Sequence, residues 1–167
     1  MLRVISLGAL IILNYAFEST ILQNFAIFGV APNISLIMII SYGLLRGEIE
    51  GGFFGIFSGL IHDIMGAQFI GLHAGLGLLF GFAAGFPFKD YFKDNYLLPL
   101  IITAATSLAY QFLFYVFAFA LRGRLEFWFY LWSIILPSTI YTALLAIPVY
   151  MLIFVINARL VKRENGF

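Results

Sequence analysis

Few residues in this sequence could do chemistry, and most of them gather in one region. Ser58, His62 and Asp63 lie close together, His73 follows, and Glu18 stands far upstream. On a helix Ser58 and His62 share a face at i and i+4, a spacing that suits a local hydrogen bond. The same residue types would serve an intramembrane serine hydrolase. Such an enzyme wants a Gly-x-Ser-Gly turn, whereas here the order is Ile56-Phe57-Ser58-Gly59, and no third group is evident to orient a histidine base. No catalytic residue is assigned. A metal could in principle draw on Glu18, His62, Asp63 and His73, whose types suit zinc or a harder ion. Neighbouring positions such as His62 and Asp63 point about 100° apart on a helix, so the spacing does not specify a metal site. No metal and no cofactor are predicted.

Asp63 still calls for a role. An ionisable group within an apolar helix is a functional candidate by default. A proton relay or ligand contact is one role. The favoured one is structural: the carboxyl group accepts hydrogen bonds from free backbone N–H groups at a helix break around residues 66–71.

The elements that position Asp63 are written in glycine. Gly51, Gly55, Gly59, Asp63 and Ala67 recur every fourth residue, and the pattern returns as Gly77, Gly81 and Gly85. That spacing lines one face of a helix. In water each such glycine would cost about 1 kcal/mol against alanine. In lipid the backbone hydrogen bonds have no competitor, and small residues let two helices approach closely. The stretch therefore predicts two membrane helices packed through glycine faces, with Asp63 turned toward protein.

Composition agrees. Of 167 residues 63% are hydrophobic and 10% charged. A soluble domain is nearer half apolar and a quarter charged. We expect an all-α integral membrane protein, a single polytopic domain over residues 1–167 with about six transmembrane helices. The net charge of +1 gives no reason to expect a nucleic-acid partner, and the absence of cysteine excludes disulfides and thiolate metal sites.

The spans follow in order. Residues 4–17 form an uncleaved first span ended by Glu18. Residues 19–33 carry Gln23, Asn24, Gly29 and Pro32, which fits an interfacial or re-entrant connection, with a helical start at Ser19 as the alternative. Pro32 suits the first turn of the next helix, which continues over 34–45. Residues 46–51 read as a tight polar turn. The third and fourth spans cover 51–65 and 71–88, and the polar residues 89–95 connect to a fifth. That fifth span runs from Pro99 to about residue 121, with Thr103, Thr106, Ser107, Tyr110 and Gln111 on one face toward the bundle interior. Phe127, Trp128, Phe129, Tyr130 and Trp132 fit an aromatic belt. An interfacial piece up to Pro137 and a last span kinked at Pro148 complete the chain. With six spans, Arg3, Arg46, Lys89, Lys93, Arg159, Lys162 and Arg163 fall on one side, against Arg122 and Arg124 on the other. The positive-inside rule then puts both termini in the cytoplasm.

Several of these pieces, in this order, resemble the rod-shape-determining membrane protein family MreD. They are Glu18-Ser-Thr-Ile-Leu-Gln-Asn, then Ala31-Pro32-Asn33 opening a hydrophobic helix, then Arg46-Gly. Gly51-x3-Gly55-x3-Gly59-Leu-Ile-His-Asp63 and Gly71-Leu72 follow. The resemblance implies a non-enzymatic protein of the bacterial inner membrane, a scaffold of the elongation complex. Its expected partners are an MreC-like bitopic membrane protein, the actin-like filament protein, and the glycan polymerase and transpeptidase of the lateral wall. Pro32, Asn33, Gly51, Gly55, Gly59, Asp63 and Gly71 become candidate structural or partner-contacting residues. The family's fold is similar to that of the substrate-binding subunits of energy-coupling-factor transporters. This supplies the alternative, a small-molecule-binding membrane subunit of a vitamin transporter. Fold likeness does not decide between the two.

Overall fold

The computed structural model describes residues 2–20, 30–65, 69–86, 97–119 and 127–164. Five expected features lie outside these residues, wholly or in part. They are the connection over 21–29, residues 66–68 with Ala67, the polar connection 89–95, the turn 122–126, and the last residues of the basic tail. The described regular structure is all helical: α1 (Leu2–Thr20), α2 (Ile34–Arg46), α3 (Glu48–Met65), α4 (Leu72–Gly85), α5 (Leu97–Ala118), α6 (Phe127–Tyr130) and α7 (Leu136–Glu164). A π-helical turn, Leu131–Ile135, joins α6 to α7, closed by the Leu136 N–H donating to the Leu131 carbonyl.

α2 is the axis of the bundle. A helix that is apolar all round belongs in a core, and every residue from Ile34 to Leu44 is buried. Its thirteen residues span only about 20 Å. Around it pack α1, α3, α4, α5 and α7, and the largest interface of the fold is between α3 and α4. Leu36, Ile40 and Leu44 meet Leu76, Phe80, Tyr110 and Tyr150 on one side of α2. On the other side Met38, Ile39 and Tyr42 meet Ile11, Phe54 and Ile153. Tyr42 and Phe54 stack there with centroids 4.9 Å apart.

Polarity runs opposite to that of a water-soluble bundle. Asn14, Ser35, Ser41, Ser58, Asp63, Thr103, Ser107 and Thr142 are buried. The outer faces show Phe53, Phe57, Leu60 and Ile64 on α3, Phe82 on α4, Phe112 on α5 and Leu144 and Phe154 on α7. Soluble monomers rarely expose apolar patches beyond a few hundred Å². Two helical stretches, Pro99–Ala118 and Phe127–Ala158, are long and apolar enough to cross a membrane. α2 and α4 are shorter apolar helices.

Four local expectations are corrected. Pro32 is not in the first turn of α2. Asn33 is the cap, its Oδ1 accepting from Leu36 N at 2.8 Å, and Pro32 precedes it. Asparagine is among the best N-cap residues because its oxygen satisfies an otherwise free N–H. The tight polar turn expected over 46–51 is narrower than that, since α2 runs to Arg46 and α3 begins at Glu48. Gly47 alone breaks the chain, at φ 98°, a left-handed conformation open to glycine, and Glu48 and Glu50 form the first turn of α3. Acidic residues are favoured there by the helix dipole. Glu18 does not end α1, which continues to Thr20. Pro137 does not separate an interfacial piece from the last helix. It is the second residue of α7 within a helical stretch that runs on from Phe127, directly after the π-helical turn, where the regular i→i−4 ladder is already interrupted. On α5, Thr103, Ser107 and Tyr110 are buried, and Thr106 and Gln111 are partly so.

Candidate functional site

The α3–α4 hairpin is built by backbone-to-backbone contact. A Cβ on Gly55 would fall on the carbonyl of Gly77, and one on Gly77 would fall on the carbonyl of Gly55. The Gly81–Gly51 pair behaves alike, Gly59 lies against the His73 carbonyl, and Gly85 against the Glu48 amide. Gly43 of α2 joins from the third side, its Cβ position 2.6 Å from the Gly81 carbonyl oxygen. Three helices thus meet where no side chain fits. Gly51, Gly55 and Gly59 are used within the chain, so their faces are closed to a partner.

Asp63 locks the open end of this hairpin. It is only 3% exposed. Its Oδ2 accepts from Gly71 N at 2.9 Å and Ala74 N at 3.0 Å, and its Oδ1 accepts from His73 N at 3.1 Å. These are the amides that the first turn of α4 leaves without intrahelical partners. Gly71 has φ 94° and no side chain to cap α4, so Asp63 does so from the neighbouring helix. The bond to Gly71 makes this position one that a residue restricted to negative φ would disturb.

Beside Asp63 lies a second polar group; the sequence suggested Glu18, His62 and His73 as neighbours but not Asn14 or Ser35. Asn14 of α1 donates through Nδ2 to Ser35 Oγ, which donates to Glu18 Oε2 at 2.6 Å. The same Oε2 lies 3.3 Å from His62 Nε2. His62 Nδ1 faces the Ser58 carbonyl at 3.0 Å and donates to it, since a carbonyl only accepts. The Ser58–His62 relation is therefore through the backbone rather than the hydroxyl. His73 Nδ1 and the Tyr110 hydroxyl share a hydrogen bond of 2.7 Å. Tyr15 sets its ring edge-on to His62, with centroids 5.0 Å apart.

Glu18, Ser35, His62 and His73 open onto a cavity of about 340 Å³, whose wall also includes Asn33, Tyr110, Gln111, Phe114 and Tyr130. Residues of α1, α2, α3, α4, α5 and α6 converge there. The arrangement is not that of a hydrolase triad. Glu18 and Ser35 both face the same nitrogen of His62, Nε2, and Ser35 gives its proton to Glu18. A nucleophile and its orienting acid need opposite nitrogens. Nor does Asp63 join Glu18, His62 and His73 as a ligand set, because its oxygens are taken up by α4 amides. Among the described residues no group of three or more metal-ligating side chains is placed to hold an ion.

Of the predicted residues, Asn33, Gly51, Gly55, Gly59, Asp63 and Gly71 occupy defined structural positions, and Pro32 is buried just before the α2 cap. Asn14, Ser35 and Tyr130 carry part of the cavity or its network without having been assigned to it. One signal was available. Asn14 and Glu18 form an i, i+4 polar pair on an apolar helix, as Ser58 and His62 do, and such pairs in a membrane bundle face its interior. Protein-family models, curated proteins and solved structures gave no match to this chain.

Proposed function

We propose that the chain is a multi-pass protein of the bacterial inner membrane, of the MreD type. In this reading it is a non-enzymatic scaffold of the elongation complex that pairs with an MreC-like bitopic protein. The observation that carries the reading is the coincidence of the resembling residues with the framework. Asn33 caps the central helix, the glycine series fuses α3 to α4, and Asp63 with Gly71 closes their joint. The apolar exterior supports a lipid surrounding, and a six-span arrangement with both termini inside satisfies the basic-residue bias. Exposed Trp128, Phe129 and Trp132 suit the outer membrane surface. Because the glycine faces are occupied internally, the partner helix docks on a lipid-facing apolar surface by shape and close packing.

The cavity favours a second reading, the substrate-binding subunit of an energy-coupling-factor-type vitamin transporter. In the six-span arrangement the cavity lies in the outer half of the bundle, as a capture site would. Affinity purification of the tagged protein from its native membranes separates the two. Recovery of a bitopic membrane protein is expected from the first. Consistent recovery of a transporter ATPase pair, without a bitopic partner, would overturn it.

A further inference from the structure

We propose that the cavity beneath Glu18 is a binding site for a small organic cation, with Glu18 as its counter-ion and Phe114 and Tyr130 as its aromatic wall. The proposal goes beyond the scaffold reading and stands or falls separately from it. The volume of about 340 Å³ is at the lower end of the ~300–1,000 Å³ typical of small-molecule sites. It is too small for a partner helix, and its wall combines apolar side chains with the polar groups of Glu18, Asn33, Ser35, His62 and Gln111. Glu18 is the one carboxylate among the described residues of the wall, and His62 and His73 are its only basic groups. Glu18 is acidic, and among the described residues lining the cavity there is no lysine or arginine. A phosphate or carboxylate ligand would meet the Glu18 carboxylate with only the imidazoles of His62 and His73 to offset it.

Glu18 is built as a fixed acceptor. Ser35 donates to its Oε2, Asn14 holds Ser35, and His62 approaches the same oxygen. Among the described residues these contacts to Glu18 all fall on Oε2 and none on Oε1. In surroundings of low dielectric a carboxylate binds an opposite charge more strongly than it would in water. Beyond Glu18, Phe114 and Tyr130 line the cavity, and Phe114 packs on His73 at a centroid distance of 5.0 Å. Aromatic faces attract cations within about 6 Å. A carboxylate with aromatic rings around a small volume selects an ammonium, a quaternary amine or a protonated heterocycle. The Gln111 amide and Tyr110 add hydrogen-bonding groups to the same wall.

The test uses the full chain in detergent with benzyltrimethylammonium as probe, benzyl alcohol as its neutral comparator and phenylacetate as its anionic one. Titration calorimetry and thermal melting provide the readouts. The expected result is saturable binding of the cation and neither comparator. Glu18→Gln keeps an acceptor for Ser35 but removes the charge. Cation affinity should fall about tenfold or more, as for loss of a charge-assisted contact, while melting without probe stays near that of the parent. Phe114→Leu keeps the apolar volume and should weaken the cation several-fold. If Glu18→Gln does not fold, Phe114→Leu alone decides, and unchanged affinity there overturns the proposal. So would absence of saturable cation binding, equal binding of phenylacetate, or full affinity in Glu18→Gln.

Discussion

Replacing Gly55 by alanine adds one methyl group at the tightest point of the α3–α4 contact. That methyl would meet the carbonyl of Gly77, part of the backbone, which no rotamer change can move aside. The added Cβ would lie 2.0 Å from the Gly77 carbonyl oxygen and ordinary contact begins near 3.4 Å, so the two helices would have to part by about 1.4 Å at this level. The shift would also stretch the reciprocal contact of Gly77 and pull on the Asp63 bonds to Gly71 and Ala74. Overpacking of this kind costs about 1–3 kcal/mol. The better helix propensity of alanine returns up to about 1 kcal/mol. Because backbone opposes the methyl the cost lies at the upper end, and the net is a loss of about 2 kcal/mol, which for a chain of this size lowers the melting temperature by about 4–8 °C. Gly75→Ala is the matched control. Gly75 lies in α4 with nothing within 4 Å of its Cβ position, so only the propensity gain remains and stability holds or rises. Thermal melting of the two variants in one detergent is the assay. A Gly55→Ala protein as stable as its parent, or a Gly75→Ala protein less stable than Gly55→Ala, would refute close helix packing as the role of the glycines.

Four further outcomes follow from the same framework. Asp63→Leu strands three amides of α4 and should lose about 3 kcal/mol or more, whereas Asp63→Asn retains one acceptor oxygen and should lose about 1–2 kcal/mol. Detergent melting checks this order, and normal stability in Asp63→Leu with loss of function in Asp63→Asn would indicate a relay instead. Asn33→Ala should cost about 1 kcal/mol through loss of the α2 cap. Thr142→Val removes the acceptor of the Asn33 N–H and should cost about 1–3 kcal/mol by the same melting assay. For topology, Arg124→Cys and Asn165→Cys should react with impermeant reagents from opposite sides of the membrane, the first from outside. Labelling of both from outside would contradict cytoplasmic termini.

The hairpin was legible in the sequence because its cause is local. A four-residue glycine period permits little besides close helix packing, and a lone carboxyl at the end of that period needs donors, which the adjacent helix start supplies. Boundaries were less legible where two local preferences compete. Glu48 and Glu50 look like turn residues by polarity but act as first-turn residues by charge. Pro137 looks like a break, yet it fits the start of α7 after a π-helical turn. The cavity was legible only in part, through the grouping of Glu18, His62 and His73. Asn14, Ser35, His62 and Tyr110 are far apart in the chain, and only the crossing of the helices around α2 brings them together. Periodicity reports which face of a helix is buried; it does not report which other face it meets.

Depletion of the protein in its native cell tests the proposed role most directly, with cell shape and growth requirements followed together. A scaffold of the elongation complex predicts conversion of rods to spheres without a new nutritional requirement, reversed by the parent gene and not by a variant that fails to fold. Retained rod shape accompanied by a vitamin auxotrophy would contradict it.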